Sequence, residues 1–179
     1  FLDLISTGFS DQALEVLRDV ITSKRHRAWT PVHEVIMKKY IDLCIELQHV
    51  RHAKDGLHQY KNIAGQTSVS SLDNVIRYYI SSAQARVNKA KAQLEESKAE
   101  AEQVDDLEAS ETPESLLLAS VSDEGDTDRA EKSVLTPWLK FLWEAFRTVL
   151  DILRNNPKLE HLYQEMARNA FQFCYQFGW

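Results

Sequence analysis

Leu135-Thr136-Pro137-Trp138-Leu139-Lys140-Phe141-Leu142-Trp143-Glu144-Ala145-Phe146, running on to Leu153 and then to Asn155-Asn156-Pro157, decides the fold. Apolar side chains fall at Trp138, Leu139, Leu142, Trp143, Phe146, Val149, Leu150 and Leu153, a spacing of three and four that fits one face of an α-helix. A second run with that spacing follows Pro157: Leu159, Leu162, Tyr163, Met166, Ala170, Phe171, Cys174 and Phe177. The link Asn155-Asn156 is too short for any join but an antiparallel helical hairpin.

The prolines extend this reading outward. Thr30-Pro31, Thr112-Pro113, Thr136-Pro137 and Asn156-Pro157 each place a capping residue before a proline. Pro at the first helical position presets φ, and its missing N–H would have had no intrahelical partner. Pro31 is read as opening a helix with Val32, Val35, Ile36, Tyr40, Leu43, Cys44 and Leu47 on its stripe, and Ser10 as capping one with Ala13, Leu14, Leu17, Val20 and Ile21. Ala13-Leu14-x-x-Leu17 and Gly56-Leu57-x-x-Tyr60 form a weak repeat 43 residues apart, a spacing typical of paired-helix solenoids. Small residues at Ala13 and Gly56 allow close helix approach. The fold expected is all-α: antiparallel hairpins stacked as a tetratricopeptide- or HEAT-like right-handed solenoid, with one long helix and an acidic loop.

The long helix is placed from Ser70 to about Gln103, with Leu72, Val75, Ile76, Tyr79, Ala83, Val87, Ala90 and Leu94 on one side. Its second half is Ala, Glu, Lys and Gln, strong helix formers with little to bury. Charge supports the division. Residues 1–91 carry 13 Lys+Arg against 9 Asp+Glu, whereas residues 92–134 carry 3 against 14. Helical repeats and the long helix are assigned to 1–104, an acidic mobile loop to 105–133 with a short helix near 113–121, and the hairpin to 134–179.

Composition removes several classes. Five Gly and four Pro among 179 residues are too few for a turn-rich β fold. No apolar run reaches the length of a membrane span. Phe1-Leu2-Asp3-Leu4-Ile5 has no signal-peptide character, and both ends read as cut helices, so the chain is read as a fragment. Cys44 and Cys174 are lone cysteines on apolar stripes, which fits buried thiols in a reducing compartment.

Chemical motifs are scarce. The sequence has no glycine-rich phosphate loop and no nucleophile elbow. His49 and His52 share a helical spacing, but neither HExxH nor CxxC accompanies them, so hydrated surface histidines are the simpler reading. Glu124, Asp126 and Asp128 alternate like calcium ligands, yet Arg129 stands where the loop needs Gly and Leu135 where it needs Glu. No cofactor, metal, membrane or small-molecule substrate is expected, and the chain is not read as an enzyme. The candidate contact residues are basic: Lys24, Arg25, Arg27, Lys38, Lys39, Arg51, Lys54 and Lys61. Cations at the end of a helix complement its dipole, and the same charges suit RNA phosphates or an acidic partner.

Three stretches carry a resemblance. One runs His26-Arg27-Ala28-Trp29, His33-Glu34, Ile36-Met37, Lys39-Tyr40 and Leu43-Cys44, then Ala53-Lys54, Gly56-Leu57 and Gln59-Tyr60-Lys61-Asn62-Ile63. Another is Thr112-Pro113-Glu114-Ser115 with Leu117-Leu118. The last runs from Leu135-Thr136-Pro137-Trp138 and Lys140-Phe141-Leu142-Trp143-Glu144 through Asp151 and Leu153-Arg154-Asn155-Asn156 to Leu162-Tyr163, Phe171 and Phe173-Cys174. Together they resemble the largest (a) subunit of eukaryotic translation initiation factor three. The resemblance implies a helical-repeat region preceding a PCI domain in a cytoplasmic scaffold. Implied partners are other subunits of the factor, notably subunit c, and the small ribosomal subunit, with mRNA or ribosomal RNA as a further contact. The implied role is support of mRNA recruitment and scanning. It also implies that Leu116 to Leu118 dock onto the helices.

Overall fold

A computed structural model describes residues 10–22, 29–65, 67–108, 134–154 and 156–177. The basic run at Lys24, Arg25 and Arg27, the segment 109–133 with its expected short helix, and both chain ends lie outside the described residues. Those residues form six α-helices and one 3-10 turn, with no strand among them. The helices are α1 (Ser10–Thr22), α2 (Pro31–Glu46), α3 (Val50–Ala64), α4 (Val69–Glu108), α5 (134–153) and α6 (Glu160–Phe177). The turn Pro157–Leu159 leads into α6.

The expected caps at Thr30 and Asn156 explain two of the starts. Thr30 is extended, with φ −134 and ψ 155, and Pro31 follows as the first helical residue. His33 closes the turn: its Nδ1 accepts from the Thr30 backbone N–H at 3.1 Å and lies 2.7 Å from the Thr30 hydroxyl. Asn156 is extended as well, and its Oδ1 accepts from the Lys158 N–H at 3.2 Å. The start of α5 differs. The helix is already running at residue 134, ahead of the cap read at Thr136, so Pro137 falls within its early turns. α4 also overruns its expected end, because Gln103 to Glu108 contains no Gly or Pro to stop it.

α2 ends in a Schellman motif. The His49 N–H donates to the Cys44 carbonyl at 2.9 Å, and the Gln48 N–H to the Ile45 carbonyl at 3.2 Å. Gln48 takes the left-handed conformation, φ 55, that this motif requires. The tight link turns α3 back against α2, and α1 packs on both.

Packing divides the chain into two compact units, Phe1–Ala83 with Phe141–Trp179, and Gln84–Lys140. In the first, Met37, Tyr40, Ile41 and Cys44 of α2 are buried together with Leu57 and Tyr60 of α3 and Leu72, Val75, Ile76 and Tyr79 of α4. Gly56 faces the Tyr40 ring so closely that a Cβ would collide with it. α5 buries Phe146, Val149, Ile152 and Leu153, and α6 buries Leu162, Met166 and Phe173. In the second unit Val87, Ala90 and Leu139 are buried, while Lys89, Gln93, Glu95 and Glu96 are exposed. The polar second half read into α4 is thus solvated at these four positions, while Ala90 is buried and Lys91 and Leu94 are half-buried.

Two stripes are rotated from the sequence reading. Val32 and Val35 are each 61% exposed, because α2 turns His33, Met37, Tyr40 and Cys44 inward instead. His33 can face inward because the Thr30 cap satisfies its ring nitrogen. On α6, Phe171 is 72% and Tyr175 84% exposed, and the inward row is Leu162, Met166, Ala170 and Phe173.

Candidate partner-binding surface

The described residues hold no group of three or more His, Cys, Asp or Glu side chains arranged for a metal. His49 and His52 meet edge to face, with ring centroids 5.1 Å apart, and His49 Nε2 lies 3.4 Å from Asp11 of α1. Cys44 is buried, and burial pushes its thiol up to about 12, far from a reactive thiolate. None of the helices among the described residues is long and apolar enough to cross a membrane.

A polar relay runs through the first unit instead. Trp29 Nε1 donates to the Tyr60 hydroxyl at 3.4 Å, and Tyr60 lies 2.6 Å from Ser71 Oγ. Ser71 Oγ donates to Glu34 Oε2 at 2.6 Å, so the Tyr60 proton points to Ser71. Lys38 closes the relay on Glu34 Oε1 at 2.8 Å. The hydrogen bonds from Lys38 and then Ser71 hold the Glu34 carboxyl below its ordinary range. These bonds tie together α2, α3, α4 and the segment before α2.

Three further contacts position the later helices. Arg77 of α4 bonds Asp73 at 2.9 Å and Glu165 of α6 at 2.6 Å, and the bond to Glu165 raises Arg77 as it lowers Glu165. Tyr78 donates to Asp42 of α2 at 2.6 Å. His58 of α3 lies 3.8 Å from Asp151 of α5.

The basic candidates fall into three groups. Lys24, Arg25 and Arg27 are outside the described residues. On α2, Lys38 is engaged by Glu34 and lies 5.7 Å over the Tyr78 ring, while Lys39 is exposed. On α3, Arg51 and Lys54 are exposed and Lys61 half-exposed, and with His58 they recur every three or four residues along one flank. The His58–Asp151 contact sets this flank beside the exposed row Arg147, Asp151 and Arg154 of α5. Arg147 and Arg154 were not among the sequence candidates. Their spacing marks an outward row, but only the fold brings that row to α3.

An all-helical chain of packed hairpins, with no strand among its described residues, belongs to the helical-repeat class. Comparison with known proteins supplies the family. Residues 2–178 match the family described as eIF3a, PCI domain, TPR-like region, and the chain belongs to it. It is 50% identical to the A subunit of eukaryotic translation initiation factor 3 from Arabidopsis thaliana over 98% of its length, which is 18% of that relative. The corresponding proteins of Danio rerio and Homo sapiens are 47% and 46% identical over 98% of this chain, covering 14% and 12% of their own lengths. The chain thus spans less than a fifth of each of these relatives.

Proposed function

We propose that this region serves as a docking platform within a translation initiation factor. It holds neighbouring subunits, notably subunit c, and engages the small ribosomal subunit in the cytoplasm, in support of mRNA recruitment and scanning. The observation that carries this reading is identity of 46% to 50% over 98% of the chain to the A subunits of that factor in a plant and two animals.

Surface chemistry supports a protein-binding role. Tyr163, Phe171 and Tyr175 recur along one exposed row of α6, and aromatic side chains of this kind supply the central anchors of protein interfaces. Co-purification with recombinant subunit c and with small ribosomal subunits tests the reading. Association with either is expected, and replacement of Phe171 and Tyr175 by Ala weakens capture of subunit c about ten-fold or more. A chain that folds but associates with neither partner would end this reading.

A further inference from the structure

We infer that Thr30 is a phosphorylation site, modified by a proline-directed protein kinase with ATP as the phosphoryl donor. Three threonines precede a proline in the sequence: Thr30, Thr112 and Thr136. Thr112 lies outside the described residues. Thr136 stands inside α5, already running at residue 134, and is half-buried. Of the two that are described, Thr30 is the one left both extended and exposed, with φ −134 and ψ 155. Pro31 imposes that conformation, because its ring disfavours the helical region for the residue before it. Pro31 and Val32 are exposed as well.

These features are what such a kinase selects. Its cleft takes the acceptor as extended chain, and the pocket for the next residue offers no partner to a backbone N–H. Proline suits that pocket because it has no N–H to leave unsatisfied. The Thr30 hydroxyl lies 2.7 Å from His33 Nδ1, a contact that one rotation about χ1 releases. In the transfer, Thr30 Oγ1 forms a bond to the γ-phosphorus of ATP. The bond from that phosphorus to the ADP oxygen breaks, and the hydroxyl proton passes to the catalytic base of the kinase.

The product carries about −1.5 to −2 charge at neutral pH. At the start of α2 this charge meets the positive end of the helix dipole and the free N–H groups of the first turn. Glu34, the acidic residue of that turn, is already taken up by Lys38 at 2.8 Å and Ser71 at 2.6 Å. The fold therefore survives the modification, and the surface changes. Val32 and Val35, each 61% exposed, come to stand beside a dianion, which an apolar partner would have to desolvate.

Treatment of the folded 179-residue chain with a proline-directed kinase and ATP, each site being read by peptide mass spectrometry, tests the inference. Short peptides spanning Thr30 and Thr136 are labelled alike, whereas in the folded chain Thr30 is labelled and Thr136 is not. Pro31→Ala lowers labelling of Thr30 about ten-fold or more, because it places an unpartnered N–H in the kinase pocket. Thr30→Ser keeps labelling within about two-fold, since Ser caps α2 as well as Thr does. Far-ultraviolet circular dichroism confirms that each variant is folded. Phosphorus resonance then reports where the phosphate sits: it reaches the dianion at lower pH in the folded chain than in the Thr30 peptide. Absence of label from Thr30 in the folded chain overturns the inference, as does undiminished labelling of Pro31→Ala. Equal titration in chain and peptide overturns the placement of the phosphate against α2. Labelling of Thr30 does not depend on capture of subunit c or the ribosome, so either result can fail while the other stands.

Discussion

Between α2, α3 and α4 the buried tyrosines work largely through their hydroxyls, whereas between α5 and α6 the aromatic rings work through their faces. Tyr40 donates to the His52 carbonyl at 2.8 Å, and Tyr60 sits in the relay from Trp29 to Glu34. In the hairpin, Phe173 stacks on Trp143 at 6.4 Å and meets Phe146 at 5.9 Å and Phe177 at 5.0 Å. A hydroxyl fixes register, because a partner one residue away is no partner. A ring face tolerates small shifts, and its strength scales with the area it covers. The first region is therefore specified by a few directed bonds, and the second by bulk.

The difference predicts which substitutions hurt. Phe146 is fully buried against Phe173, so Phe146→Ala removes a large side chain and leaves a cavity. A loss of about 3–5 kcal/mol is expected in urea unfolding. A loss below about 1 kcal/mol would show that the hairpin collapses around the gap and is not held by ring packing.

In the first region a smaller change should be costly. Gly56→Ala would ordinarily gain roughly 0.5–1 kcal/mol of helix propensity. Here the added methyl meets the Tyr40 ring, which is buried and tied to the His52 carbonyl. A net loss of about 1–3 kcal/mol is expected. If the variant is instead more stable, Tyr40 can move and its bond does not set the register.

The Glu34 end of the relay has a pH signature. Its carboxyl is held low in the folded chain, so its contribution is fully present above the ordinary carboxylate range near pH 4.3. That contribution disappears as pH falls through the lowered folded value. Glu34→Gln should cost about 1 kcal/mol at neutral pH, given the partial exposure of the pair, and much less in acid. A cost that stays constant over this range would mean that shape, not charge, is what Glu34 supplies.

The helix starts at Thr30-Pro31 and Asn156-Pro157 were legible because cap and proline both act through local backbone geometry, whereas at Thr136-Pro137 the same pair falls inside a helix already running at 134. The close approach at Gly56 was legible for the same reason, since a missing side chain is visible in sequence. The rotation of α2 was not, because Val32 and Val35 match an apolar stripe and the polar His33 does not. Only its bond to Thr30 lets it face inward. The relay escaped detection because Glu34 and Ser71 look like ordinary surface residues, and 37 positions separate them. Arg147 and Arg154 stayed hidden likewise, since nothing in the linear order places α5 beside α3.

Gln48 offers a gain where the other changes bring losses. Its φ of 55 is a conformation in which a Cβ crowds the following carbonyl, and the Schellman bonds hold it there. Gln48→Gly removes that crowding but adds freedom to the unfolded chain, and the sum is expected to favour the fold by about 0.5–1 kcal/mol. Destabilisation would mean that the Gln side chain makes a contact worth more than the strain.

The smallest effect belongs to Tyr79, which stands where the two kinds of packing meet. Its ring meets Phe141 of α5 edge to face, with centroids 6.3 Å apart, as the rings of the hairpin do. Its hydroxyl is buried as those of Tyr40 and Tyr60 are, but it has no hydrogen-bond partner among the described residues, and burial raises its pKa. A buried hydroxyl without a partner costs desolvation and returns nothing. Tyr79→Phe keeps the ring and removes that cost, so stability should stay within about 0.5 kcal/mol or rise slightly. A loss above about 1 kcal/mol would show that the Tyr79 hydroxyl is bonded in solution. It would then belong with Tyr40 and Tyr60, and the region of directed bonds would extend to the edge of the aromatic hairpin.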